Sequence, residues 1–347
     1  MIKLDKQKYL KIHYQGRLVV SIPEHPFWLR RKAWSIFRGG TWRKSAFKYG
    51  MKIFSNIQML PLVSDLDTNP FRGSDSVFFS HLHGQIQKDL QTENLYIVIT
   101  FPPQVTRKRF YATLFSATGN IEGFAKIVSG EHEKVFLRRE CNMVRKIQKR
   151  SKVSFRVPEI KAEGAFDDHM YVVYEPVPAR AVPIPWSAID DVLPHIDDLQ
   201  SVKHTAERLQ DTSWWNDFLL YKNRGNAFFE NLSDAYEPVD VSWSHGDFTV
   251  ENILRYKNEF WMIDWENSAT DAPVLTDRLT FYLNRYDRRL RKNPEKVFHR
   301  VVKQLLESPD KVSETGIQAA LAFLISRDHE GAKICSKFLQ DKINVYE

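Results

Sequence analysis

Two short runs carry oxygen-bearing side chains at spacings that could do chemistry: Ser244-His245-Gly246-Asp247-Phe248-Thr249-Val250-Glu251-Asn252-Ile253-Leu254 and Met262-Ile263-Asp264-Trp265-Glu266. Apolar Val239, Val241 and Trp243 precede the first run, which places Asp247 in a loop at the end of a strand. Residues 253–256 and 260–263 read as two strands joined by the turn Lys257-Asn258-Glu259. A hairpin brings the start of its first strand beside the end of its second. Asn252 and Asp264 are therefore expected to meet at the open end, with Asp247 in the loop that feeds it. Hard oxygen donors converging in this way suit Mg²⁺. Beside a nucleotide, such a cation neutralises phosphate charge while a further carboxylate orients an attacking hydroxyl. The plain alternative is a polar turn whose carboxylates cap backbone groups.

The elements that would position these residues begin upstream. Residues 95–101, 110–116 and 124–128 are strand-like, with a turn at Gly119-Asn120 and Gly123. Lys126 has apolar neighbours on both sides, which predicts a partly buried cation in need of a partner. A helix over 131–150 follows, with an apolar stripe through Phe136, Met143, Val144 and Ile147. Glu140 falls inside that stripe, where a carboxylate is costly unless paired. Glu133 lies near the same face and is a weaker rival partner for Lys126. Residues 157–160 and 170–174 read as further strands, and Tyr174-Glu175-Pro176-Val177-Pro178 as a proline-braced connection. From 183 to 238 the pattern is helical, with Trp214 and Trp215 read as core. Asp277 heads another helix, and helices close the chain. Residues 58–94 carry turn formers and few periodic signals. Within them His81 and His83 read as a plain surface pair rather than metal ligands.

His-Gly-Asp, four residues before Asn, then Ile-Asp-Trp-Glu, resembles the aminoglycoside phosphotransferase and choline kinase-like family. The resemblance covers roughly residues 95–345 and implies an α+β, two-lobed protein-kinase-like fold, with an antiparallel β N-lobe carrying one helix and a mainly helical C-lobe. It implies domains at 95–178 and 179–347 behind a basic extension, 1–94. It also implies roles: Asp247 as catalytic base, His245 shaping its loop, and Asn252 and Asp264 as Mg²⁺ ligands. Lys126, set by Glu140, would reach the ATP phosphates, and the backbone near Glu175 and Val177 would hold the adenine. Asp277 would buttress the catalytic loop or cap its own helix. The chain departs from the family pattern between the first two strands, where residues 101–109 contain no glycine. Glycine normally lets backbone amides approach phosphates. Arg107, with Lys108 and Arg109, could supply charge there instead, or these could be solvated loop cations.

The net charge of +7 is unevenly placed: residues 1–60 hold thirteen Lys or Arg and only two Asp or Glu. Between residues 26 and 57, Trp, Phe and Ile recur every three or four positions with cations between them, which predicts two basic amphipathic helices. These could pack on the body, meet an anionic membrane or lipid-linked glycan, or, as a weaker idea, nucleic acid. The two cysteines, Cys141 and Cys335, give neither disulfide framework nor metal spacing. A cytoplasmic protein, peripheral to the inner membrane face, is the expectation, and nothing signals an oligomeric state.

Two function classes follow. The first is an ATP- and Mg²⁺-dependent phosphotransferase acting on a hydroxyl of a small molecule, a sugar or amino alcohol, with surface-polysaccharide metabolism as its setting. The basic arm tilts the acceptor toward an anionic or lipid-linked sugar. A cationic aminoglycoside would want an acidic pocket, for which Asp190, Asp191, Asp197 and Asp198 are the candidates. The second class is a catalytically weak kinase-fold scaffold recruited to a membrane or anionic partner through its basic arm.

Overall fold

A computed structural model of the chain describes residues 8–14, 17–36, 65–67, 76–102, 108–150, 153–202, 204–206, 208–222, 238–307 and 313–346. It divides into two compact units: residues 1–137 with 159–176, and residues 138–158 with 177–347. The class is α+β, as expected.

The first unit is built on an eight-stranded antiparallel sheet. Its strands are β1 (Tyr9–Tyr14), β2 (Arg17–Pro23), β3 (Asp65–Asp67), β4 (Leu95–Thr100), β5 (Arg109–Ser116), β6 (Ile121–Ser129), β7 (Ile160–Phe166) and β8 (His169–Tyr174), in the order β3-β1-β2-β4-β5-β6-β8-β7. β2 joins β4 through Val20↔Thr100 and Ser21↔Ile99. The sheet therefore runs across residue 94, where the sequence suggested a boundary.

Strand alternation gives each face its own core. On one face, Ile97, Ile99, Leu114 and Ile127 pack with Phe79, Leu82 and Ile86 of helix α2 (Ser76–Asp89). On the other, Val98 and Phe115 pack with Leu29 and Ala33 of helix α1 (Phe27–Ile36). The first part of the predicted basic helical region thus buries its apolar side on the sheet. Arg31 and Lys32 stay exposed, and Lys32 Nζ donates to the Gly119 carbonyl at 2.5 Å. Residues 37–57, the remainder of that region, lie outside the described residues.

Three local expectations are corrected. Helix α2 occupies a stretch that showed few periodic signals. His83 is not a surface residue: it is buried on α2, its Nε2 bonds the Leu95 carbonyl at 2.9 Å, and burial pulls its pKa down to about 4. The strand expected over 157–160 instead begins at Ile160 and continues to Phe166.

The second unit contains two small sheets. One is β10 (His204–Ala206), β11 (Val239–Ser244) and β14 (Ala269–Pro273); the other is β9 (Val182–Pro183), β12 (Ile253–Tyr256) and β13 (Glu259–Met262). Helix α3 (Glu131–Gln148) starts in the first unit and ends in the second. The other helices are α4 (Ile189–Leu199), α5 (Trp215–Lys222), α6 (Thr276–Arg285), α7 (Asp287–Leu290), α8 (Pro294–Leu306), α9 (Glu314–Ser326) and α10 (Glu330–Tyr346). Asn293 caps α8 by accepting from Lys296 N–H at 3.1 Å, with Pro294 in the first turn. Trp214 and Trp215 are core residues, as expected, and Trp214 meets Phe323 edge-on at 5.5 Å. Among the described residues, no helix is long and apolar enough to cross a membrane.

Candidate active site

The centre of the site is the loop between β11 and β12. Asp277, fully buried near the start of α6, holds it by three hydrogen bonds, two from backbone amides and one from a side-chain hydroxyl. Its Oδ1 accepts from Ser244 Oγ at 2.8 Å and Gly246 N–H at 2.9 Å, and its Oδ2 from His245 N–H at 2.9 Å. Burial pushes this carboxyl above its usual range, and the field of His245 and these hydrogen bonds oppose the rise. Of the two roles open to Asp277, the structure shows the buttress; α6 has no side-chain cap.

Gly246 is required where it stands. Its φ is +76°, and a Cβ there would lie 2.1 Å from the Asn267 carbonyl oxygen. His245 is buried, with Nε2 at 2.9 Å from the Ile263 carbonyl, while Asp247 N–H donates to its Nδ1 at 3.3 Å. In the neutral ring those two contacts place the proton on Nε2. The ring lies 4.4 Å from Trp265, whose indole donates to the Met262 carbonyl and stacks on Phe155. His245 thus ties the loop to the end of β13.

The hairpin forms with a turn one residue shorter than expected: Glu259 belongs to β13, so the register is Ile253↔Met262 through Tyr256↔Glu259, with Lys257 in the left-handed region at the turn. One step beyond it, Ile263 N–H donates to the Asn252 carbonyl at 3.0 Å, which puts Asn252 beside the residue preceding Asp264. Asn252 Nδ2 donates to both the carbonyl and Oδ2 of Asp247, each at 3.0 Å. Both partners are acceptors, so the amide orientation is determined and Oδ1 turns away from Asp247. Asp264 has a φ of +69°, a conformation that persists where the surroundings enforce it. Burial pushes the Asp247 carboxyl up to about 6; His245 and Asn252 oppose the rise, while Asp264 and Glu266 add to it. Asp247 and Asn252 are thus in contact, and Asp264 directly follows the residue that bonds Asn252.

Among the described residues, no group of three His, Cys, Asp or Glu is arranged to hold a metal. The predicted ligands are one amide oxygen and one carboxylate. That fits Mg²⁺, which takes one or two carboxylates and completes its octahedron with phosphate oxygens and water.

Next to these groups lies an apolar patch that the sequence did not single out. Ala181, Leu254 and Trp261 are buried, and Val177, Tyr256 and Ile263 pack on them partly exposed. Leu254 and Ile263 each lie one or two residues from Asn252 or Asp264. Their alternation in the hairpin was the available signal.

Other predicted residues belong to elements outside this loop and hairpin. Lys126 is buried in the middle of β6, opposite Tyr111 and Val172. Glu140 is buried on α3. Lys126 belongs to the first unit and Glu140 to the second. Glu133 has a different partner: it pairs with Arg109 at 3.3 Å, and both are buried. Arg109 is therefore not a solvated loop cation. Glu175 and Glu159 bond reciprocally, Glu175 N–H to the Glu159 carbonyl at 2.8 Å and Glu159 N–H to Glu175 Oε1 at 3.1 Å. Arg107 lies outside the described residues.

The chain is similar in structure to small-molecule phosphotransferases. A GDP complex of aminoglycoside 2'-phosphotransferase-IIIa aligns at 12% identity over 77% of this chain and 93% of its own, with a TM-score of 0.42. Spectinomycin phosphotransferase in complex with ADP and spectinomycin aligns at 13% identity, 73% and 93% coverage and a TM-score of 0.42. A macrolide 2'-phosphotransferase from Brachybacterium faecium aligns at 9% identity, 70% and 90% coverage and a TM-score of 0.38. No family model and no curated protein matches the chain. At these TM-scores the likenesses assign neither substrate nor residue roles.

Proposed function

We propose that the protein is a small-molecule kinase, moving the γ-phosphoryl group of ATP to a hydroxyl of a sugar or amino alcohol in a Mg²⁺-dependent reaction. The observation that supports this most is the hold of Asn252 on Asp247. One amide fixes the carboxylate while its own oxygen turns away from Asp247. That division of labour suits a base and a metal ligand side by side.

Asp247 takes the acceptor hydroxyl proton as the acceptor oxygen bonds to phosphorus and the bond from phosphorus to the β–γ bridging oxygen breaks, leaving ADP. A pKa near 6 keeps it ionised at neutral pH yet basic enough to accept a proton. Asn252 Oδ1 and the Asp264 carboxylate would hold Mg²⁺, which when bound neutralises charge on the phosphate oxygens. His245 keeps the loop in register with β13. Lys126 is assigned to the α- and β-phosphates, Glu140 to orienting it, Glu175 and Val177 to the nucleobase, and Arg107 to added phosphate charge; these roles rest on the sequence resemblance. The patch around Leu254 and Ile263 offers an apolar surface on which a nucleobase could lie.

The glycine-free stretch 101–109 is the feature that favours the scaffold alternative. A thermal-shift titration with Mg-ATP, with and without EDTA, separates the two. A metal-dependent rise in melting temperature is expected; no shift at millimolar Mg-ATP would leave the scaffold.

A further inference from the structure

Trp186 is a partly exposed tryptophan that the site described above does not use. Register places it. β9 runs antiparallel to β12, with Pro183 opposite Leu254, and Ile184 N–H donates to the Ile253 carbonyl at 3.1 Å. The chain leaving β9 therefore passes the end of β12 that Asn252 precedes, and Trp186 is two residues further on. Its ring meets Phe281 edge-on at 5.0 Å, and Phe281 lies 6.4 Å from Phe248, the residue after Asp247. Phe281 and Phe248 are fully buried. Trp186 is thus the outermost ring of an aromatic series whose inner end belongs to the catalytic loop.

Charge narrows what such a ring could face. A cationic acceptor needs carboxylates that are not already matched. Asp191 pairs with Arg255 at 3.3 Å, Asp197 with Arg278 at 2.5 Å, and Asp198 Oδ2 accepts from Ser154 N–H at 2.6 Å. Asp190 is exposed at the start of α4. Three of the four candidates for an acidic pocket are thus paired with a cation or hydrogen-bonded to the backbone. Trp186 itself offers an aromatic face rather than a charge.

We infer that Trp186 is a wall of the acceptor site and that the acceptor is a neutral sugar ring, docked by its C–H face with a hydroxyl presented to Asp247. This rests on the phosphotransferase function proposed above. Ring C–H groups carry slight positive charge and are attracted to the negative face of an indole, and burying them removes apolar surface from water.

Saturation-transfer NMR on the full chain with Mg-ADP tests this, using methyl glycosides of glucose, mannose, galactose and N-acetylglucosamine, with kanamycin as the cationic control. At least one glycoside should show transfer to its ring C–H protons. Its affinity should fall about tenfold in Trp186→Ala and in Trp186→Leu, which keeps apolar bulk without a π face, and be largely kept in Trp186→Phe. The inference is overturned if no glycoside binds, if the signal is the same in the Leu variant, or if kanamycin binds in a Trp186-dependent way. Mg-ATP melting shifts on the same samples check folding independently. If the wild type lacks that shift, the phosphotransferase proposal fails, while the glycoside data still judge the Trp186 wall.

Discussion

The loop at 244–252 and the sheet around Lys126 place charged groups under different constraints. In the loop, backbone geometry does the placing: three donors converge on Asp277, Gly246 stands where a Cβ would strike the Asn267 carbonyl, and Asn252 grips Asp247. In the sheet, side-chain burial does it. Lys126 sits in a central strand, and Arg109 and Glu133 form a buried pair one strand and one helix away. Backbone constraint demands particular residues at fixed spacing. Burial demands only that charges be matched, and many residue pairs can do that.

If that contrast is right, Gly246→Ala should have the largest effect of any change that leaves the reacting side chains in place. A methyl group 2.1 Å from a carbonyl oxygen must displace the loop. A loop shift of about 1 Å costs roughly a hundredfold in turnover, and melting should show a loss of several kcal/mol, on the order expected for a severe mutation. Wild-type turnover in this variant would mean that the loop conformation is not required. In the sheet, Arg109→Ala strands Glu133 without its buried partner. Chemical denaturation should report a loss of about 3–5 kcal/mol, with Asp247-dependent chemistry in the surviving folded fraction unchanged. A selective fall in kcat would instead move Arg109 into the site.

Titration sharpens the comparison further. Burial raises the Asp247 carboxyl to about 6, so kcat/KM should fall about tenfold per pH unit below that value. The same shift has a stability consequence of defined sign. The native state binds this proton more tightly than the unfolded chain, whose carboxyl titrates near 4. The ionised form therefore costs stability at neutral pH, and the cost fades as pH falls from 6 to below about 4. Asp247→Asn should accordingly raise the melting temperature by about a few degrees at pH 7–8 and by nothing at pH 3.5. A gain that is the same at both pH values would point to a steric cause.

The same contrast explains what could be read from the sequence. The loop and the hairpin were legible because Gly246, the four-residue spacing and the turn at Lys257-Asn258-Glu259 each encode backbone geometry, although the turn closes one residue sooner than expected. Asp277 was named as a buttress through the family resemblance alone, because its three hydrogen bonds depend on how α6 meets the loop. Helix α2 was not, although Phe79, Leu82, His83 and Ile86 stand at helical spacing. His83 was counted as polar and Gly84 as a turn, yet the histidine is buried with its Nε2 on a carbonyl. The Arg109–Glu133 pair was hidden because burial of a charge depends on which strand and helix meet. The merging of β1–β3 into the main sheet was hidden for a similar reason: only two residue pairs join β2 to β4.

The central claim is that Asp247 is the base of a phosphoryl-transfer centre. The most direct measurement is ADP release from Mg-ATP by wild type and Asp247→Ala, with the best-binding methyl glycoside present and Mg-ATP affinity measured on both. The wild type should turn over, and the variant should lose about 10²–10⁴ in kcat while binding Mg-ATP within a few-fold of wild type. Full turnover by Asp247→Ala would contradict the account.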